Sequence, residues 1–318
     1  MLTRAPFAVL DVTLRDGGYL NDWAFSADAM HAVVTALEAA GADGAEVGYI
    51  DDTPGLPLGA ACPPDLLAQL RDAAPHLWLA AMLRPSVADP AAILASRSAY
   101  LDLIRIPTHA NATGPSRAVA EHVRGAGLLC SINLTNVSAY PVELLAAATA
   151  EFARHDLMDV LYLADSRGAL RPGEAAPLVR ALRRVWDGPI GFHAHDNLGW
   201  ALAHTVEALG AGCVLADGSL NGLGLGGGNT VTQDLLPLDA ASADRLREVG
   251  TRVLHPLSDS QRRPYVLSAH KNISQDWIAP LVQAYPATLC ALLETLPRRS
   301  YRSQDEVEAA FQTAAVPS

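Results

Sequence analysis

Two histidines in the segment His193-Ala-His195 have a spacing that suggests metal chemistry. They follow the apolar residues 190–192, which predict a β-strand. Side chains at positions i and i+2 of a strand point to the same face, so we expect the two imidazoles side by side. Neighbouring imidazoles suit a divalent metal ion. A pair of histidines with structural partners is the alternative.

A second charged segment, Asp-Val-Thr-Leu-Arg-Asp-Gly-Gly-Tyr, covers residues 11–19. The apolar run before it and the glycines that close it indicate a buried strand running into a turn. Arg15 and Asp16 lie in this turn, where burial of charge is costly unless a ligand or metal uses it. A structural ion pair is the alternative. Near the histidines, the Asp16 carboxylate would complete a ligand set for Mn²⁺, Mg²⁺, Fe²⁺ or Zn²⁺.

A glycine-rich loop, Gly-Leu-Gly-Leu-Gly-Gly-Gly-Asn, covers residues 222–229. Its glycines also fit Gly-x-Gly-x-x-Gly by count, but a dinucleotide fingerprint belongs on the first βα turn of a Rossmann unit. We therefore expect these glycines to let the backbone approach a ligand, with Asn229 as a fourth metal contact. A turn or cap role for Asn229 is the alternative.

Short apolar runs alternate with longer amphipathic ones through the first 240 residues or so. The predicted strands are residues 7–11, 45–50, 77–83, 101–107, 128–134, 160–165, 190–195 and 213–217. Eight such units predict an α/β fold, a (β/α)₈ TIM barrel, with a doubly wound open sheet as the alternative. The barrel is favoured because polar residues recur at the carboxyl ends of the strands, where barrel active sites lie. In a closed barrel, strands 1, 7 and 8 are neighbours, so Asp16, His193 and His195 can converge.

The pattern changes near residue 244, where strand signals fade and helical runs follow at residues 277–285, 287–296 and 304–311. We therefore predict a TIM-barrel catalytic domain at residues 1–240 and a helical C-terminal extension at residues 241–318. His270 lies in a polar segment of this extension. It is either on a capped, solvated helix face or on a lid that reaches over the barrel mouth.

Composition limits the partners. The 318 residues carry a formal net charge of −11 and contain no run of Lys or Arg, which argues against a nucleic-acid partner. The four cysteines form no Cys-x-x-Cys pair, which favours free thiols in a reducing cytoplasm. No secretory signal pattern and no apolar run long enough for a bilayer is evident. We expect a cytoplasmic protein that holds any anionic substrate through a metal or a few arginines.

Taken in their order along the chain, the segment at residues 11–19, the His-x-His pair and the glycine-rich loop together resemble the DRE-TIM metallolyases. That superfamily includes hydroxymethylglutaryl-CoA lyase, isopropylmalate and homocitrate synthases, and 4-hydroxy-2-oxovalerate aldolase. The resemblance covers about residues 7–235 and includes Asp165-Ser166-Arg-Gly168 after the sixth predicted strand. Within the superfamily the chain is most similar to the pyruvate aldolase branch, especially to aldolase-like proteins that carry Thr-Leu-Arg-Asp-Gly-Gly-Tyr.

The resemblance implies roles for particular residues. Asp16, His193 and His195, with Asn229 as a fourth, would bind the metal, with Mn²⁺ or Mg²⁺ preferred over Zn²⁺ or Fe²⁺. Arg15 would be the catalytic arginine, and Ser166 would lie near the substrate carboxylate. Strand position alone suggests four further residues of the substrate pocket: Arg105, Glu46, Asn133 and Thr135.

The implied reaction is that of a class II aldolase, which makes or cleaves a 4-hydroxy-2-oxo acid through a pyruvate enolate and an aldehyde. One position departs from the pattern: aldolases of this group have a histidine base three residues after the metal-binding aspartate, and here that residue is Tyr19. A free tyrosine, with a pKa of about 10, is a weak base at neutral pH. Proton transfer would then fall to a perturbed Tyr19, to His270 or to water, or the reaction differs.

Two other functions are compatible with these motifs. One is a Claisen-type acyl-CoA-dependent synthase or acyl-CoA lyase of the same superfamily. The other is a non-catalytic barrel that binds a metal and an oxo acid. Aldolases of this branch often act with an aldehyde dehydrogenase, so the resemblance implies such a partner, and we also expect a homo-oligomer.

Overall fold

The computed structural model describes residues 7–314, and its strands close into an eight-stranded parallel barrel. Each strand pairs with the next in sequence, and the last pairs with the first. In chain order the strands are β1 (Ala8–Asp11), β2 (Gly44–Tyr49), β3 (Trp78–Met82), β4 (Leu103–Thr108), β5 (Leu129–Leu134), β6 (Val160–Asp165), β7 (Ile190–Ala194) and β8 (Leu215–Gly218). This topology confirms the predicted TIM barrel and excludes the open sheet.

The α-helices of the described part of the chain surround the barrel and continue beyond it. They are α1 (Ala27–Ala39), α2 (Leu58–Ala61), α3 (Pro64–Ala73), α4 (Pro90–Arg97), α5 (Gly114–Gly125), α6 (Val142–Arg154), α7 (Ala175–Leu182), α8 (Ala201–Gly210), α9 (Thr232–Leu235), α10 (Ala240–Val253), α11 (Asp259–Lys271), α12 (Ile278–Ala284), α13 (Leu289–Thr295) and α14 (Gln304–Ala314). Short 3-10 helices cover Gly17–Leu20, Val137–Ala139, Leu220–Gly222 and Gln275–Trp277.

Local sequence signals explain several of these boundaries. The Ser26 side chain accepts a hydrogen bond from the backbone N–H of Ala29 and so caps α1. Asp89 caps α4 in the same way, and a proline follows at the first helical position. Helices α10 and α11 were not individually predicted. Pro264 lies inside α11, where the sequence pattern alone would favour a break.

Charged side chains fill part of the barrel interior. Arg105 is completely buried, and it donates hydrogen bonds to Glu46 at 3.0 Å and to Asp217 at 2.7 Å. Its guanidinium lies over the ring of Tyr162, 4.1 Å from the ring centroid. Gly191 leaves room for that ring, since a Cβ there would come within 2.4 Å of it. Arg105, Glu46 and Asp217 therefore each have an oppositely charged partner, which offsets the cost of their desolvation.

The C-terminal helices fall into two groups by packing. Leu246 and Val249 of α10 belong to the same apolar core as the barrel and its helices. Helices α11 to α14 share a second core that also includes Leu225 of the glycine-rich loop, and so they contact the barrel mouth. The division at residues 240 and 241 stays a prediction, and residues 1–6 and 315–318 lie outside the described part.

The four cysteines are free, as predicted. Cys62, Cys130 and Cys213 are buried, and burial raises the pKa of each thiol to about 12, which makes it unreactive. Among residues 7–314, the helices are too short or too polar to cross a bilayer.

Asp11, at the end of β1, gives a test of the buried charge. Its carboxylate accepts hydrogen bonds from the Thr13 N–H and the Thr232 hydroxyl, yet burial raises its pKa to about 6. The folded state then holds a proton that the unfolded state has lost, so stability falls as pH rises from about 4 to 6. Between pH 4 and pH 7, the unfolding free energy of Asp11→Asn should gain up to about 3 kcal/mol relative to the unsubstituted protein. A difference in unfolding free energy between the two proteins that stays constant from pH 4 to pH 7 would contradict this.

Candidate metal centre and substrate cavity

Asp16, His193 and His195 form one cluster at the carboxyl end of the barrel. One ligand atom from each lies within 4.8 Å of the others, and all three residues are buried. Asp16 lies in the turn after β1, whereas the histidines come from β7 and the residue just beyond it. The barrel closure that pairs β1 with β8 and β8 with β7 brings these side chains together. Two imidazoles and a carboxylate at this separation can hold a divalent cation.

The charge states of the cluster suit a cation. Burial works to raise the pKa of Asp16, but His195, Arg15 and His193 outweigh it and hold that pKa well below its usual range. Burial lowers the pKa of His195 to about 4. At neutral pH the site therefore offers a carboxylate and a neutral imidazole, the forms that bind metals.

Asp217, which sequence reasoning missed, orients one of the histidines. Its carboxylate lies 3.0 Å from Nδ1 of His193 and also accepts the hydrogen bond from Arg105. A carboxylate that accepts a proton from Nδ1 fixes the imidazole tautomer and leaves Nε2 as the ligand atom. The sequence signal that could have identified Asp217 is its position at the end of the eighth predicted strand, since the carboxyl ends of the strands carry the site.

Asn229 and Gly224 show why the glycine-rich loop lies against this cluster. The Asn229 amide donates to Asp16 at 2.8 Å, and its Oδ1 atom is buried with no hydrogen-bond partner in the described part of the chain. A Cβ on Gly224 would lie 2.6 Å from Asp16 Oδ2 and 2.3 Å from the Asn229 amide. The unsatisfied oxygen beside a carboxylate is what a cation would satisfy, so the residues present fit a divalent metal.

Arg15 is held on two sides. Its Nη1 donates to Asp16 at 2.6 Å and its Nε to Glu46 at 2.7 Å, while Trp23 donates to its backbone carbonyl at 2.7 Å. Its Nη2 makes no hydrogen bond within residues 7–314, and the side chain lines a cavity. The guanidinium is therefore rigidly placed, with one donor group available to a ligand.

That cavity, of about 610 Å³, opens at the barrel mouth. Its walls include eight predicted site residues: Arg15, Asp16, Tyr19, Asn133, Thr135, Ser166, His193 and His195. The volume lies in the range of pockets that enclose small ligands.

Three predicted pocket residues lie elsewhere. Arg105 and Glu46 are fully buried beneath the cavity, where they pair with each other, so their expected contact with substrate is wrong. Each is the third of six residues in its strand, β4 or β2, so it lies below the carboxyl end of the strand, where an ion pair holds it in the core. His270 is exposed on α11, outside the cavity walls, because the face that packs inward carries Ser268 and Ala269 instead. The solvated-face interpretation of His270 is therefore the one observed.

Tyr19 lines the cavity in a setting that disfavours its anion. Its hydroxyl lies 3.2 Å from that of Tyr49. Burial and Tyr49 raise the pKa of Tyr19 well above its usual value, so the phenol stays protonated at neutral pH. These surroundings therefore disfavour a tyrosinate base.

The C-terminal segment supplies cavity residues that sequence reasoning missed, Gln275 and Asp276. Asp276 is exposed toward the cavity, and protein atoms around its carboxyl group replace part of its water. This desolvation raises its pKa, and the charge of Asp16 adds to the effect. No local motif marks a residue that reaches the site only through the packing of a separate helical core.

Comparison with known proteins agrees with this geometry. The model of the HMGL-like family matches residues 6–244. The chain belongs to the HMGL-like family. A 4-hydroxy-2-oxovalerate aldolase from Roseiflexus sp. is 34% identical over 240 residues, which is 74% of this chain and 70% of the relative. An oxaloacetate decarboxylase from Mycobacterium tuberculosis is 33% identical over 229 residues, 70% of this chain and 66% of the relative. These matches confirm the superfamily resemblance and the expectation of a lyase.

Solved structures share the fold of this HMGL-like chain. The N-terminal domain of a Bacteroides vulgatus protein aligns with a TM-score of 0.76 and 24% identity over 89% of this chain and 99% of that one. The carboxyl transferase domain of Rhizobium etli pyruvate carboxylase aligns with a TM-score of 0.73 and 17% identity over 97% of this chain and 60% of that one. At these identities the likeness concerns the fold alone.

Proposed function

We propose that this HMGL-like protein is a divalent-metal-dependent aldolase that makes or cleaves a 4-hydroxy-2-oxo acid. The observation that carries the proposal is the placement of Arg15 against Asp16, with His193 and His195 beside them, on the wall of one cavity. The aldolase relatives lend it support. An aldehyde dehydrogenase partner and a homo-oligomer stay predictions.

Asp16, His193 and His195 would hold the metal, with Asn229 as a fourth residue beside them. Mn²⁺ or Mg²⁺ is the expected ion. When bound, it supplies Lewis-acid chemistry, withdrawing electron density from a 2-oxo acid. The neutral imidazole of His195 and the ionised Asp16 keep the ligand set ready for the ion at neutral pH.

Arg15 would stabilise the negative charge that develops on the keto oxygen of the 2-oxo acid. Its fixed position, with Glu46 and Asp16 on two of its nitrogens, means that little reorganisation is needed when this charge appears. Ser166 lines the same cavity and would contact the substrate carboxylate. Arg15 thus acts mainly on the transition state.

Asp276 is the residue we assign to proton transfer, because Tyr19 stays protonated and His270 lies outside the cavity. A raised pKa brings this carboxylate closer to the working pH, which favours general-base catalysis. Asp276→Asn should lower kcat for aldol cleavage about 10²-fold, the low end for a lost base, since water reaches the cavity. Mn²⁺ binding, measured by calorimetry, should persist. Unchanged kcat and an unchanged pH profile would show that Asp276 takes no part.

The proposed function is tested with pyruvate in D₂O. With Mn²⁺, the protein should exchange the methyl protons of pyruvate faster than Mn²⁺ alone, as followed by proton NMR. A panel of aldehydes with pyruvate should then give a 4-hydroxy-2-oxo acid detectable by mass. Absence of both exchange and adduct would overturn the proposal. Release of free thiol from acetyl-CoA with a 2-oxo acid would instead indicate the synthase reaction.

Decarboxylation of oxaloacetate is a second candidate. Loss of carbon dioxide requires no base to take a hydroxyl proton, so Tyr19 in place of histidine is no obstacle to it, and one relative is named for this reaction. The Asp276→Asn variant separates the two, because it should slow aldol cleavage and leave decarboxylation fast. Equal losses for both substrates would argue against a base role specific to the aldol reaction.

A further inference from the structure

Arg84 is a cavity residue that the proposed mechanism does not use. It follows β3 at the carboxyl end of the barrel and lies half-buried in the cavity wall. In the closed order of eight strands, β3 is four strands from β7 in either direction. Arg84 is therefore attached to the side of the mouth opposite the strand that carries His193.

Its guanidinium is held by aromatic rings. The carbon at its centre lies 3.5 Å from the centroid of the Tyr49 ring and 5.9 Å from that of Trp23. The two rings contact each other edge to face, and Trp23 is hydrogen-bonded to Arg15. Stacking fixes the plane of a guanidinium but leaves its N–H donors free at the edge.

Those donors have no partner in the described part of the chain. Within residues 7–314, Arg84 makes no side-chain hydrogen bond and no ion pair, whereas Arg15 and Arg105 each contact two carboxylates. The acids in the cavity wall are Asp16, which is paired with Arg15, and Asp276, which forms no ion pair with Arg84. Arg84 is therefore a cation of the cavity wall that has no ion-pair partner within residues 7–314, in a protein with a net charge of −11.

A fixed cation without an ion-pair partner favours a ligand that carries an anionic group. Under the proposed function, the carboxylate and keto oxygens of the 2-oxo acid are met by the metal site, Arg15 and Ser166. A three-carbon oxo acid occupies only part of a 610 Å³ cavity, and the remaining space extends to Arg84. The donor geometry of a guanidinium matches carboxylate and phosphate oxygens in two-point contact.

We propose that Arg84 binds a terminal anionic group on the part of the substrate derived from the aldehyde. This inference rests on the proposed function, and it specifies the substrate class: a 4-hydroxy-2-oxo acid with a second oxyanion, either carboxylate or phosphate, at its far end. Arg84 is then a specificity-determining residue. It acts through substrate binding and takes no part in bond breaking.

The kinetic test compares aldehydes in condensation with pyruvate and Mn²⁺. Succinic semialdehyde and glycolaldehyde phosphate are the anionic probes, and butanal is the neutral one. The higher kcat/KM among the anionic probes should exceed that of butanal by about 10- to 100-fold, the range for a charge-assisted hydrogen bond. The anionic probe with the larger gain in kcat/KM over butanal identifies the terminal group as carboxylate or phosphate. Arg84→Met should abolish this preference mainly through KM, Arg84→Lys should retain part of it, and the surface variant Arg180→Met should retain all of it.

A binding measurement separates this inference from the proposed reaction. The Mn²⁺-loaded protein should bind 2-oxoglutarate or 2-oxoadipate at least about tenfold more tightly than 2-oxopentanoate by calorimetry. Arg84→Met should remove that difference while Mn²⁺ binding persists. If pyruvate exchange and adduct formation fail but the preference is present and depends on Arg84, only the proposed reaction is wrong. No preference in the unsubstituted protein, or an equal preference in Arg84→Met, overturns the role of Arg84.

Discussion

Replacing Arg15 with methionine should lower kcat for aldol cleavage by about 10²- to 10³-fold, the usual loss for one donor to a developing oxyanion. The side chain is fixed between Asp16 and Glu46, and its third nitrogen is available to the ligand. Arg15→Lys should also lose most activity, because an ammonium cannot reproduce the planar donor arrangement. The readouts are kcat for cleavage and the rate of pyruvate proton exchange.

Stability complicates this experiment less than the burial of Arg15 suggests. In Arg15→Met, Glu46 keeps its partner Arg105 at 3.0 Å, so that carboxylate is not left unpaired. Thermal unfolding should show whether the fold persists, and Arg15→Lys keeps the buried positive charge. The surface variant Arg117→Lys is the matched control. Turnover within a few-fold of the unsubstituted protein in both Arg15 variants would rule out the catalytic role.

Asp16→Asn should abolish stoichiometric Mn²⁺ binding as well as activity. The ion would lose its only anionic ligand in the cluster of Asp16, His193 and His195, and neutral ligands alone bind these hard cations weakly. Arg15 would also lose a charged hydrogen-bond partner. Mn²⁺ content after dialysis and calorimetric titration measure the loss directly, without reference to turnover.

Asp276→Asn provides the comparison for that measurement. It removes a second carboxylate from the same cavity wall but lies outside the three-residue cluster. It should therefore keep one Mn²⁺ per chain, whereas Asp16→Asn should not. Full Mn²⁺ occupancy in Asp16→Asn, or equal loss in both variants, would contradict the assignment of Asp16 as a ligand.

Much of the candidate site could be predicted from the chain because its motifs lie at strand ends. Periodicity and length indicate a (β/α)₈ barrel, and the barrel closes β8 against β1 as expected. Side-chain alternation and this closure together bring residues from the first and seventh strands to one edge. That is a consequence of local sequence acting through a regular topology, and it is why Asp16 and the two histidines could be paired across almost 180 residues.

Only the tertiary structure decided which polar residues are buried in the core and which line the cavity. The sequence by itself determined the barrel, the His193–His195 pair and their meeting with Asp16. It did not separate Arg105, which an ion pair holds below the floor, from Arg84, which an aromatic stack leaves free in the wall. Nor did it place Asp276, whose position depends on a second core packed over the mouth. Long-range packing and the neutralisation of buried charge decide such cases, and neither is encoded in a local pattern.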